Sequence, residues 1–247
     1  MFFADRIKSI KSTDKVLEIG PGATPYYRSD VFLELQYDNE QERVAQSGHI
    51  GILKTIKQIV YYDGGKFPFG DKEFDYVICS HVLEHVVDAD FFLSEIQRVG
   101  KKGYLEFPTI YYDYMYNFPE HQLFILKKNG IINWMTKEES GLMKYEVIQR
   151  FFNKTCELKY YETINNFKDY FFQGFEWSDT IESKRVNNLN LLTYQEEDVK
   201  LKKFAFDVER LEKMYLMISL KSFIKFKINF FLKRKIKKLI NFFFDTF

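Results

Sequence analysis

The sequence predicts an α/β fold with a mostly parallel central sheet and helices on both faces. Two observations carry this. Short apolar runs of strand length alternate with stretches whose apolar residues recur at helical spacing. The first such run, Val16 to Ile19, ends in the turn Gly20-Pro21-Gly22, where backbone without a Cβ can come close to a ligand. Strands that alternate with helical segments pair in parallel, with the helices as crossovers. At 247 residues and 46% hydrophobic, the chain can form one large domain with a full core plus an appendage.

The elements follow in order. Phe3 to Ile10 has apolar residues at helical spacing (Phe3, Ile7, Ile10) and predicts a short helix leading into a first strand over Lys15 to Ile19. Few residues separate Gly22 from Val31, while a parallel crossover takes roughly 10–12 residues with its helix. The crossover helix is therefore one or two turns at most. Val31 to Leu35 predicts the second strand and Asn39 to Ser47 a helix, resumed over Leu53 to Ile56 after the break at Gly48 to Gly51. Gln58 to Tyr62 predicts the third strand, stopped by Asp63-Gly64-Gly65. Phe74 to Ser80 is the clearest strand. Asp88 then caps a helix with the stripe Phe91, Phe92, Ile96 and Val99, ended by Gly100. Gly103 to Phe107 is a further buried strand. Beyond Pro108 the rhythm breaks: Ile110 to Asn117 is rich in aromatics, Phe124 to Thr136 reads as a hairpin, and Glu157 to Thr163 and Phe171 to Trp177 are strand candidates for the sheet edge.

Composition narrows the function classes. The overall charge is +1, but residues 216–247 hold eight Lys and Arg against the single acid Asp245, which leaves residues 1–215 net acidic. An acidic body is a poor general binder of nucleic acid. Two cysteines, Cys79 and Cys156, are too few for a disulfide framework and fit a reducing cytosol. The opening Met-Phe-Phe-Ala-Asp lacks a basic region followed by an apolar run, so no signal peptide is expected. From Tyr215 to Phe247, Phe, Ile and Leu mix with lysines at near-helical spacing. The uncharged runs there, Leu239 to Phe244 among them, fall far short of the roughly 20 residues that span a bilayer. A basic amphipathic helix on an anionic membrane is the expected reading.

In open α/β sheets, ligands sit beyond the carboxyl ends of the strands. The predicted ends supply Glu18, Gly20 and Gly22; Glu34, with Asp38 nearby; Asp63; Ser80, His81, Glu84 and His85; and Glu106, Pro108 and Thr109. Carboxylates at the second and third ends can accept hydrogen bonds from ribose hydroxyls or an exocyclic amine. A dinucleotide fingerprint would need a small residue at position 25, which is Pro25, and the short crossover offers little helix N-terminus to a pyrophosphate. A cofactor without phosphates suits the site better, and S-adenosylmethionine (SAM), with adenine, ribose and an amino acid, is one.

The stretch Val16-Leu17-Glu18-Ile19-Gly20-Pro21-Gly22 resembles the first motif of class I SAM-dependent methyltransferases. Asp63-Gly64-Gly65-Lys66-Phe67-Pro68-Phe69 and the longer run Phe74 to Val86 resemble the later motifs of the type 11 branch. The resemblance covers Lys15 to Pro108 and, more weakly, extends to Gly141. It implies a Rossmann-like methyltransferase domain over 1–215, with its motif core at 15–108 and an acceptor or lid region at 109–215, followed by the tail at 216–247. It places Gly20 and Gly22 against the methionine part of SAM, Glu34 (or Asp38) on the ribose and Asp63 on the adenine amine. Glu18, Gly64 and Ser80 complete the expected cofactor set. Relatives also carry a Trp/Phe-Pro-x-His element after the fifth strand, here Phe118-Pro119-Glu120-His121.

A methyl group on a sulfonium is already electrophilic, so positioning of the acceptor supplies most of the rate. A hydroxyl acceptor also has to lose its proton, and histidine is the natural base. The candidates are His121 first, then His85 and His81; Glu84 reads as structural. None of them shows metal-ligand spacing. Enzymes that methylate amines of nucleic acids commonly carry an Asp/Asn-Pro-Pro-Tyr/Phe run where this chain has Ser80-His81-Val82-Leu83. A hydroxyl of a small molecule or sugar is therefore the expected acceptor, on the cytosolic side and at the inner face of the membrane if the tail binds it, in the setting of bacterial surface-glycan assembly. The contrasting reading is a methyltransferase fold that serves as a non-catalytic scaffold.

Overall fold

The computed structural model describes residues 1–47, 51 and 53–195. The tail over 216–247 lies outside the described residues. Strands β1 (Val16–Ile19), β2 (Val31–Leu35), β3 (Gln58–Tyr62), β4 (Tyr76–Ser80) and β5 (Lys102–Pro108) run parallel. Three helices lie among or just after them: α1 (Glu40–Ser47), α2 (Ala89–Val99) and α3 (Ile110–Tyr116). A hairpin of β6 (Leu123–Lys128) and β7 (Ile131–Thr136) follows, then α4 (Glu146–Glu157), α5 (Glu162–Asn166), α6 (Lys168–Phe171), β8 (Phe172–Ser178) and β9 (Ser183–Arg185). The main sheet has the order β3-β2-β1-β4-β5-β8, with β8 antiparallel to β5; β6, β7 and β9 form a second, three-stranded sheet. Residues 1–194 make one compact unit.

All four residues of β1 are buried, as a central strand requires, whereas the edge strand β3 is half-exposed. Alternate residues serve opposite faces. Leu17, Ile19, Leu33, Val77, Cys79 and Leu105 join Phe92, Leu93, Ile96 and Val99 of α2 in one core. Val16, Tyr76, Ile78 and Tyr104 pack on the other face with Phe3, Ile7, Tyr116 and Phe171. The Asp88 side chain accepts from the Phe91 N–H at 3.0 Å and caps α2. Asn129 and Gly130, at φ +53° and +86°, make the tight turn of the hairpin. Among the described residues no helix is long and apolar enough to cross a membrane.

Four local expectations give way. Phe3 to Ile10 is not a helix beyond a 3₁₀ turn at Ala4–Arg6. Tertiary carboxylates take its amides instead: Phe2 and Phe3 donate to Glu106 at 2.6 and 2.9 Å, and Lys8 and Ser9 to Glu176 at 3.0 and 2.8 Å. The crossover from β1 to β2 has no helix at all, only turns. The Glu18 carboxylate anchors it by accepting from the Tyr26 N–H and the Ser29 hydroxyl. Leu53 to Ile56 does not resume a helix. Glu157 to Thr163 is no strand: α4 reaches Glu157, the chain turns at Lys159 with φ +64°, and α5 starts at Glu162. The edge strand expected at Phe171 to Trp177 is present as β8.

Candidate active site

Sheet order reverses between β1 and β4, both flanks of which run parallel, and a crevice opens there at the carboxyl ends of the strands. A cavity of about 370 Å³ fills it, with Gly20 and Gly22, Glu34, Tyr62, His81 and His85 in its wall. Gly64 and Asp88 also border it.

The glycine turn is built for close approach. Gly20 sits at φ +59° and Gly22 at φ +57°, conformations that disfavour any side chain. A Cβ on Gly20 would lie 2.5 Å from Cγ2 of Val82 in the loop after β4. Glu34 ends β2 in the cavity wall, and burial pushes its carboxyl pKa up to about 7. Such a desolvated carboxyl suits a ligand with hydroxyl donors. Three other expected cofactor residues stand outside the cavity wall. Glu18 is spent on the β1–β2 turn, and burial raises its pKa. Ser80 donates to Glu106 at 3.1 Å. Asp63 is exposed and accepts from the Gly65 N–H at 2.9 Å, so of that loop only Gly64 reaches the wall. Asp38 is likewise exposed and outside the wall.

The three histidines gather beyond the end of β4. His81, at φ +58°, is wedged between two buried carboxylates. Its Nε2 lies 3.0 Å from Glu106 Oε1 and its Nδ1 3.3 Å from Glu84 Oε1. Burial alone would lower its pKa; the hydrogen bond to Glu106 and the contact with Glu84 outweigh that and raise it to about 9. The same pairing overcomes burial at Glu84 and Glu106 and holds both near about 2. Both ring nitrogens of His81 face carboxylates, which speaks against this ring as the base.

His85 and His121 meet through the start of β6, where the Gln122 N–H donates to the Glu84 carbonyl at 2.7 Å. Their ring centroids are 4.7 Å apart. His85 Nδ1 lies 3.1 Å from the Glu120 carbonyl. A carbonyl only accepts, so Nδ1 carries the hydrogen and Nε2 is left with its lone pair. Burial lowers the His85 pKa, with the Glu84 charge acting against it. His121 Nδ1 makes a short contact with Asp113, and this outweighs burial to raise the His121 pKa. Within the Phe-Pro-x-His element the Glu120 carbonyl faces His85 and the Phe118 ring packs on His121.

Asp113, Glu106 and Tyr104 are the site residues that sequence reasoning gave no role. Asp113 is fully buried, and it is the one charge in the otherwise aromatic and aliphatic helix α3, a signal that was available. Tyr104 donates to Glu106 at 2.5 Å and helps to fix that carboxylate. Folding brings one ligand atom each from Glu84, His85 and His121 within 4.8 Å of the other two, a grouping that their spacing in the sequence does not show.

The residues present fit SAM on two counts, the positive-φ glycines Gly20 and Gly22 in the cavity wall and the water-poor carboxyl of Glu34. A family model described as a methyltransferase domain matches residues 19–105. Among solved structures, the YcgJ protein from Bacillus subtilis is 18% identical, covering 46% of this chain and 56% of that one at a TM-score of 0.33. SAM-dependent methyltransferases from Methanosarcina mazei give 18% identity, 49% and 69% coverage and a TM-score of 0.31. A protein from Pyrococcus horikoshii gives 17%, 59% and 74%, and 0.34. The chain spans about half the length of several such structures. No curated protein matches it. The family match begins at the last residue of β1, runs through the glycine turn and the loop after β4, and ends inside β5, so this crevice is built from the segment of the chain that is similar to a methyltransferase domain.

Proposed function

We propose that the chain methylates a hydroxyl of a small molecule or sugar. The observation that supports this best is His85, a ring in the cavity wall whose Nδ1–H is committed to the Glu120 carbonyl and whose Nε2 is left to accept a proton. In this reading Gly20 and Gly22 bear on the methionine part of SAM, Glu34 accepts from the ribose hydroxyls, and the loop after β3, through Gly64 in the cavity wall, meets the adenine. Glu18 and Ser80 act at one remove, through the β1–β2 turn and through Glu106. When bound, SAM supplies a methyl group already activated by its sulfonium. His85 Nε2 takes the acceptor's hydroxyl proton, His121 and Asp113 brace the His85 ring, and His81 holds the loop between its two carboxylates. Residues 109–215 would supply the acceptor pocket.

The tail adds the setting. Eight basic residues and the run Phe242-Phe243-Phe244 support contact of 216–247 with an anionic membrane surface, and with it a cytosolic role in surface-glycan assembly. The acidic body speaks against a polyanionic acceptor. The test is methyl transfer from labelled SAM to a panel of hydroxyl acceptors. His85→Gln should lower kcat by about 10²–10⁴-fold with SAM affinity unchanged. An unaltered kcat would remove His85 as the base.

A further inference from the structure

We infer that Glu84, His85 and His121 form a binding site for one divalent cation of the zinc class. Three observations point the same way. First, the donor set is two imidazoles and a carboxylate, with a ligand atom from each within 4.8 Å of the others. Zinc takes such sets, commonly with an open fourth position, at about 2.0–2.1 Å from nitrogen. A tetrahedral site with those bonds has ligand atoms roughly 3.4 Å apart, so small side-chain shifts close it. Magnesium and calcium prefer oxygen donors and fit this set poorly.

Second, the carboxylate is short of partners. Glu84 is fully buried, and neither of its oxygens has a hydrogen bond. Its Oε1 lies 3.3 Å from His81 Nδ1, an ion-pair contact that leaves Oε2 to a further partner. Orphaned acceptors at zero exposure are rare, and a bound cation accounts for these two.

Third, the surroundings are those of a ligand shell. The Asp113 carboxylate faces His121 Nδ1, and the Glu120 carbonyl faces His85 Nδ1. Each ring is oriented by an acceptor on one nitrogen and offers the other, the arrangement that holds imidazole ligands on metals. His85 belongs to the cavity wall, so the site is reached from the cavity. The site stands without the hydroxyl-transfer reading. Where both hold, a cation on His85 Nε2 occupies the lone pair used for the proton, and transfer by that route belongs to the metal-free chain.

The test uses the full chain, stripped with a chelator and titrated with Zn²⁺ against a chromophoric competitor and with Co²⁺ by visible absorption. S-adenosylhomocysteine binding and thermal unfolding of every variant check the fold. The expected result is one equivalent of Zn²⁺ per chain, at least tenfold weaker binding in Glu84→Gln and His121→Ala, and 10–100-fold weaker binding in Asp113→Asn, which keeps all three ligands. Absence of stoichiometric binding to the folded wild-type chain would overturn the site. So would binding in all three variants as strong as in the wild-type chain. Absence of metal binding to the wild-type chain with S-adenosylhomocysteine binding intact refutes the metal site alone, and metal binding without S-adenosylhomocysteine binding refutes the cofactor reading alone.

Discussion

At the end of β2 a carboxyl group is drawn out of water, and burial moves its pKa from the ordinary 4.5 to about 7. The folded chain therefore holds a proton on Glu34 that the unfolded chain gives up between those two values. The group's contribution to stability falls as pH rises from 4.5 to about 7 and is level above that. Glu34→Gln should stabilise the fold by about 1–3 kcal/mol at pH 8, read by thermal unfolding, with no gain at pH 4. Ribose hydroxyls donate best to the charged form. SAM affinity should thus rise several-fold from pH 6 to pH 8 in the wild-type chain and stay flat in Glu34→Gln, measured by calorimetry. At this scale the sequence showed what local chemistry decides. Gly20, Gly22 and Glu34 could be picked out because a turn and a strand end are short-range features. The pairing of Asp113 with His121, and of Glu106 with His81, was hidden because neighbouring strands and a hairpin bring these residues together. Asp63 shows the converse: its position follows from the motif, but its side chain turns to its own loop.

Element by element, apolar run length was a good guide where a strand is buried on both faces, as in β1, β4 and β5. It failed where tertiary hydrogen bonds override propensity, as at Phe3 to Ile10, and where mixed polar and aromatic residues carry no clear period, as at Glu157 to Thr163. The β4–β5–β8 seam shows how tightly the elements fit. A Cβ on Gly103 of β5 would lie 2.1 Å from the Val77 carbonyl oxygen and 2.8 Å from Trp177 Nε1. The first contact is with backbone of the neighbouring strand and cannot be relieved by a rotamer change. Gly103→Ala should cost about 3 kcal/mol or more, seen as a lower urea midpoint. Because β4 leads into His81 and β5 carries Glu106, the same change should also weaken the carboxylate–imidazole clamp.

For the molecule as a whole, the alternation of strands and helices sufficed for the α/β class and the parallel sheet, because both follow from which segments can bury a face. Strand order and the second sheet did not follow, since they depend on which surfaces pair after collapse. The basic tail is where sequence alone speaks. Each Lys or Arg near an anionic surface is worth about 1 kcal/mol. Removing residues 216–247 should abolish sedimentation with anionic vesicles while leaving SAM binding unchanged. The account as a whole turns on the crevice between β1 and β4 being the SAM site. The most direct measurement is a calorimetric titration of the full chain and of folded Gly20→Ala with SAM and S-adenosylhomocysteine. The wild-type chain should bind one molecule of either. Gly20→Ala, with its Cβ forced to 2.5 Å from Val82 and a left-handed backbone to strain, should bind at least tenfold more weakly. No binding to the wild-type chain, or equal binding in both, would contradict the account.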